Sequence, residues 1–176
     1  MIGVYPDRDY VASLRFPFLR GPSSNRAKVA SADADRPREG LMASVNENEG
    51  LKLLRSVIAS NEDKVVYIQI GATWCPATRY ETPYQTEMAE AYKGQSLRIV
   101  NFYLDNGSDG TNPFATNIET YHLTDEQRLG LDPILHTGRG IPFYILINKE
   151  GVIADFGEHL RSSIPETRVV IDKHLE

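Results

Sequence analysis

The chain has 176 residues, a formal net charge of −5 and one cysteine, the size of one domain with some extra length and enough to bury a core without covalent staples. The acidic balance leaves no basic footprint for nucleic acid or an anionic membrane surface, and no apolar run approaches the roughly 18 residues that span a bilayer. A lone thiol excludes an intramolecular disulfide, so stability must come from packing.

The first ten residues, MIGVYPDRDY, lack a basic segment followed by an apolar stretch, and no export signal is read there. Residues 1–43 read as an N-terminal extension, extended or partly mobile. Within it YVASLRFPFL alternates apolar positions like a short strand or docking segment, and the Pro-, Ser- and charge-rich text up to Gly40 has no sustained apolar period. Residues 44–176 read as one domain. Asn46 or Asn48 is placed to cap a first helix in which Leu51, Leu54, Val57 and Ile58 fall at helical spacing. KVVYIQIGA is rich in β-branched and aromatic residues between a charge and a glycine, as in a strand buried on both faces.

A long helix is predicted from about Pro76 to Tyr92, with Gly94 just past its end. Tyr80, Tyr84, Met88 and Tyr92 recur in it every four residues, so the tyrosines are expected in the core. Pro83 removes a helical donor and is expected to kink the helix. SLRIVNFYLD is a second buried strand, and NGSDGTNP is a loop by its turn chemistry. NIETYHL fits no single element, whereas Thr124 with Glu126 and Gln127 behind it signals a helix start. IPFYILINKEG and VIADFG are two apolar runs joined by an NKEG turn, a hairpin signal. The closing PETRVVIDKHL puts Pro165 at a helix N-terminus and spaces Val169, Val170 and Leu175 for a buried face. A strand, helix, strand, helix, hairpin, helix order makes a parallel pair by right-handed crossover and extends it with an antiparallel hairpin.

The order and two motifs in it resemble the thioredoxin fold, and within it the TlpA/ResA-like thiol-disulfide oxidoreductases. KVVYIQIGATWCPATRYETP is similar to that family's strand and WCxxC motif, with Arg79, Glu81 and Pro83 where the pattern has a basic residue, a glutamate and a helix-kinking proline. GIPFYILINKEGVI is similar to its GIPxxxLIDxxG element. The resemblance covers about Glu47 to Leu175. It implies an α/β thioredoxin-like domain with a central mixed sheet flanked by helices, and a cis Ile141–Pro142 bond beside a reactive Cys75. It also implies a substrate groove formed by Trp74, Pro76, Ile141 and Pro142. It implies partners that are protein or small-molecule thiols and disulfides, an external reductase, and location in the periplasm or cell envelope. No cofactor is expected, and the wide spacing of the four histidines offers no metal site.

Three departures from the pattern bear on mechanism. The second cysteine is Thr78, the buried acid of many thioredoxins corresponds to Gln69, and Gly71 stands where an aromatic is common. Without a second thiol the chain cannot resolve a mixed disulfide internally or store an electron pair as its own disulfide. An amide at position 69 does not titrate near neutrality. One sulfur can still be activated, because the N-terminus of a helix favours the ionised form of a thiol placed there. Thr78 lies one turn on and can donate to it. Arg79 adds positive charge, and Glu81 opposes it and can relay a proton. His136, six residues before Pro142, is a further candidate to approach the sulfur, against the plainer reading of a surface loop histidine.

The catalytic candidates are thus Cys75, Thr78 and Glu81. Three functions compete: a monothiol oxidoreductase or isomerase; a thiol peroxidase, since CPAT is similar to the cysteine-to-threonine spacing of glutathione peroxidases; and a binding module that keeps the groove without turnover.

Overall fold

The computed structural model describes residues 48–105, 118–135 and 140–176. The N-terminal extension with its YVASLRFPFL segment, Asn46, the NGSDGTNP loop and His136 lie outside the described residues. The elements in chain order are α1 (Glu49–Ala59), β1 (Val65–Gly71), α2 (Pro76–Ala91), β2 (Leu97–Tyr103), β3 (Glu119–His122), α3 (Asp125–Leu135), β4 (Phe143–Ile147), β5 (Ile153–Phe156) and α4 (Pro165–Leu175), with a short 3₁₀ turn at Glu158–Leu160. The strands form one sheet in the order β3-β2-β1-β4-β5. β1 runs parallel to β2, and β2 to β3, while β4 is antiparallel to both β1 and β5. The expected crossover pair and hairpin are therefore present, and the ambiguous NIETYHL segment supplies the edge strand β3.

Two apolar layers sandwich the sheet. On one face Leu54, Val57 and Ile58 of α1 and Leu131 of α3 meet Val66, Ile68 and Ile70 of β1. On the other, Met88 and Tyr92 from the end of α2 and Ile171 of α4 meet Val65, Tyr67, Tyr144 and Leu146. All seven residues of β1 are buried, as its β-branched composition requires of a central strand. Each such aliphatic side chain withdrawn from water contributes about 1.5–3 kcal/mol.

Local capping follows the sequence. Asn48 Oδ1 accepts from the amides of Gly50 and Leu51 at 2.9 and 3.3 Å, and its Nδ2 donates to the Gly130 carbonyl at 2.9 Å, tying α1 to α3. The helix backbones approach closely there, since a Cβ on Gly50 would lie 2.3 Å from the Gln127 carbonyl oxygen, and one on Gly130 would meet the Asn48 side chain. Thr124 and Gln127 exchange bonds of 3.0 and 3.2 Å between side chain and backbone, a capping box at the start of α3.

Two expectations about helix faces are corrected. Tyr80 is 61% exposed, Tyr84 is half-buried, and the inward face of α2 is Thr78, Glu81, Gln85, Met88 and Tyr92. A strict four-residue repeat advances about 40° per step around a helix of 3.6 residues per turn. A row that is inward at Met88 and Tyr92 has therefore rotated outward by Tyr80. In α4 the buried residues are Thr167 and Ile171, with Val170 and Leu175 partly covered; Val169, two positions from Ile171 and so nearly opposite it, is 68% exposed. Thr167 is buried because its hydroxyl donates to the Arg161 carbonyl at 2.7 Å, closing the turn before the helix.

Candidate functional site

The carboxyl ends of the parallel strands β1 and β2 lie side by side, with Gly71 opposite Tyr103. The chain leaves β1 through Ala72–Trp74 and enters α2 at Cys75, which is the N-cap residue with extended backbone (φ −79°, ψ 121°), followed by Pro76 as the first helical residue. Pro76 has no N–H to orphan, so the proline costs the helix nothing at that position. On the other flank, antiparallel pairing of Ile70 with Phe143 brings the start of β4 to the end of β1. The Ile141–Pro142 bond immediately before it is cis, as the resemblance implied.

These elements bring Cys75 and Ile141 together. The Cys75 thiol lies 3.7 Å from the Ile141 carbonyl, to which it donates, and the cysteine is 7% exposed. Pro142 is buried and Ile141 half-buried, whereas Trp74 is 64% exposed and Pro76 is also open to solvent. The sulfur thus sits in a recess whose rim is apolar and accessible.

Thr78 and Glu81 are one and two turns along α2, on its buried face. The Thr78 side chain is fully buried, and its Oγ1 accepts from the Ala72 amide at 3.4 Å. Thr78 fills the space left by Gly71: a Cβ on Gly71 would come within 2.7 Å of both Thr78 Cγ2 and Oγ1. The substitution Gly71→Ala is accordingly expected to cost about 1–3 kcal/mol by overpacking. Most of that loss should be recovered in Gly71→Ala/Thr78→Ala, as read by urea denaturation of the two variants; equal losses in both would refute the contact.

Glu81 is 1% exposed, and its carboxylate accepts from Ser163 N at 3.0 Å and Ser163 Oγ at 2.6 Å. This anchors α2 to the segment that leads into α4. Nearby, burial above all, then Tyr67 and the Glu81 charge, push the Tyr144 phenol far above its ordinary range. Burial likewise raises Tyr67, whose hydroxyl sits 3.0 Å from Ser162 Oγ. Arg79 reaches back from α2, its Nε donating to the Thr73 carbonyl at 2.6 Å. Gln69 is wholly buried between Asn101 and Tyr144 in the sheet register, and its amide atoms have no hydrogen-bond partner among the described residues. Next to it Gln85 and Asn101 form a reciprocal amide pair at 2.7 and 3.1 Å.

Two residues that motif reading passed over stand close to the sulfur's loop. Thr73 donates from its amide to Asp105 Oδ1 at 2.8 Å and from its hydroxyl to Asp105 Oδ2 at 2.6 Å. The signal available was positional: Asp105 lies two residues past the end of β2, the strand parallel to the motif strand, and functional groups in such sheets gather at the carboxyl ends. Among the described residues no group of three or more His, Cys, Asp or Glu side chains is arranged to hold a metal ion, and no helix is long and apolar enough to cross a membrane.

No family model and no curated protein matches the chain. Solved structures do. A crystal structure described as a thiol-disulfide oxidoreductase from Bacteroides vulgatus superimposes with a TM-score of 0.56 and 26% identity, covering 66% of this chain and 82% of the other. A solution structure with the same description from that organism gives 0.55 and 29%, over 66% and 76%. A thiol:disulfide interchange protein of the thioredoxin family from Chlorobium tepidum TLS gives 0.54 at 17% identity, over 67% and 84%, a likeness of fold. The chain has a thioredoxin-like fold, and these structures similar to it are described as thiol-disulfide exchange proteins.

Proposed function

We propose that the chain carries out thiol-disulfide exchange through one thiol, Cys75. The observation that carries this reading is the placement of Cys75 Sγ at the N-terminus of α2, 3.7 Å from the Ile141 carbonyl beside cis Pro142, under an accessible apolar rim. The description of the similar Bacteroides vulgatus structures supports it. The Cys75 thiolate attacks one sulfur of a substrate disulfide. That S–S bond breaks as the Cys75 mixed disulfide forms, and the electron pair leaves on the second substrate sulfur, which takes up a proton. Because position 78 holds a threonine, an external thiolate must attack the mixed disulfide and regenerate Cys75. No electron pair is kept by the chain, so the chemistry suits isomerisation or deglutathionylation-type exchange. Trp74, Pro76, Ile141 and Pro142 form the substrate groove in this reading, and Thr78 and Glu81 act behind the sulfur. The periplasm or cell envelope, as the place of action, rests on the family resemblance alone.

A second reading, a binding module without turnover, is favoured by the 7% exposure of Cys75 and the commitment of its thiol to the Ile141 carbonyl. Stopped-flow reaction with an aromatic disulfide separates the two. The expected result is rapid release of one aromatic thiolate per chain, absent in Cys75→Ser. Release no faster than from a free cysteine would favour the binding module. Fast consumption of hydrogen peroxide beside a sluggish disulfide reaction would instead favour a peroxidase, with a sulfenate at Cys75 as its signature.

A further inference from the structure

The loop that delivers Cys75 is only three residues long, and its middle residue is tied on every polar atom. Thr73 is 2% exposed. Its amide and hydroxyl both donate to the Asp105 carboxylate, at 2.8 and 2.6 Å, and its carbonyl accepts from Arg79 Nε at 2.6 Å. Asp105 is itself held by the sheet: the Leu104 amide donates to the Gly71 carbonyl at 2.8 Å, and His122 Nδ1 lies 2.9 Å from the Asp105 carbonyl. We propose that Asp105 is a positioning residue for Cys75, fixing the Thr73–Cys75 loop from the end of the neighbouring strand. The inference rests on the exchange reaction proposed above and adds a residue to its machinery.

Hydrogen bonds to an ionised acceptor are roughly twice as strong as neutral ones, and here both carboxylate oxygens serve one residue. A carboxylate that only filled a surface turn would not need to grip a buried residue two positions before the nucleophile. Without the grip, Thr73 keeps only the Arg79 bond, which comes from the helix and moves with it. The sulfur would then lose its fixed relation to the Ile141 carbonyl and the groove. Misplacing a reacting group by about 1 Å can slow a reaction by roughly 100-fold.

The chain's single tryptophan is Trp74, next to Thr73 and exposed, so it reports on this loop directly. The test compares Asp105→Ala, Asp105→Asn and Thr73→Val by aromatic-disulfide exchange, iodoacetamide alkylation of Cys75, fluorescence anisotropy of Trp74 and urea denaturation. The expected result for Asp105→Ala is exchange slowed by about 10- to 100-fold, with lower Trp74 anisotropy. Asp105→Asn should recover most of the loss, since its amide oxygen still accepts from Thr73. Adding Thr73→Val to Asp105→Ala should slow exchange little further, because the two share one interaction.

Exchange and anisotropy at wild-type level in Asp105→Ala would overturn the proposal, whatever happens to the urea midpoint. If Asp105→Ala fails to fold, Thr73→Val carries the same readouts and an unchanged rate and anisotropy overturn it. Should the unmutated protein not exchange with the disulfide, the proposed function fails. The alkylation rate and Trp74 anisotropy then still decide whether Asp105 positions the loop.

Discussion

Replacing Thr78 with cysteine is expected to give a protein that forms an internal disulfide and reduces insulin with dithiothreitol at least about tenfold faster than the parent chain, which has no resolving thiol. The geometry favours the bond. Cys75 is the N-cap of α2 and Thr78 its third residue, the same pair of positions whose side chains reach back to each other's backbone in a capping box. Thr78 already points into a buried space against Gly71, and cysteine places one γ atom there where threonine places two. The cost is the weak bond from the Ala72 amide, 3.4 Å long. Free-thiol titration before and after oxidation checks the disulfide, and turbidity of reduced insulin checks turnover. A variant that forms the disulfide but reduces nothing would mean that the groove binds without presenting a substrate sulfur to Cys75.

Glu81→Leu is expected to destabilise the fold by about 1–3 kcal/mol, because it removes the buried acceptor of the half-buried Ser163 amide and hydroxyl. The urea midpoint should fall with little change in slope. Glu81→Gln should remain within about 1 kcal/mol of the parent: its amide oxygen accepts from Ser163 N, and its NH₂ donates to the Ser163 hydroxyl, which turns to accept. Glutamine cannot carry a proton between Cys75 and solvent, so this variant separates two roles. Slowed exchange at near-parent stability assigns Glu81 to proton transfer. Parent-like exchange assigns it to the clamp between α2 and α4 alone.

What could be read from the sequence was what neighbouring residues determine among themselves. The Asn48 cap, the burial of β1, the β4–β5 hairpin and the Cys75–Pro76 start of α2 all depend on short-range pattern, and all are present. The cis bond at Pro142 came through the resemblance, not through any local rule. Side-chain direction on α2 is not legible in the pattern, because the tyrosine repeat is aromatic and regular while the inward row mixes Thr78, Glu81 and Gln85 with Met88. Those polar residues are buried because their partners arrive from elsewhere: Ser163 is 82 residues from Glu81, and Asn101 is 16 from Gln85. Asp105 was hidden for the same reason, its partner Thr73 lying 32 residues upstream in the adjacent strand's exit. A periodicity argument sees no such pairing, and a motif argument stops at the motif's edge.

The contact between Gly71 and Thr78 also sets a direction on change. From the present sequence, trimming position 78 to cysteine, serine or alanine is sterically open, whereas adding any side chain at 71 first meets the threonine. Substitutions at these two positions therefore have a favoured order: 71 grows at least cost once 78 has shrunk. A path to a dithiol pair at 75 and 78 is open in one step, and a path toward an aromatic at 71 runs through it or through another small residue at 78. In a laboratory library that varies both sites, functional clones with bulk at 71 should be found only where 78 has already lost a branch.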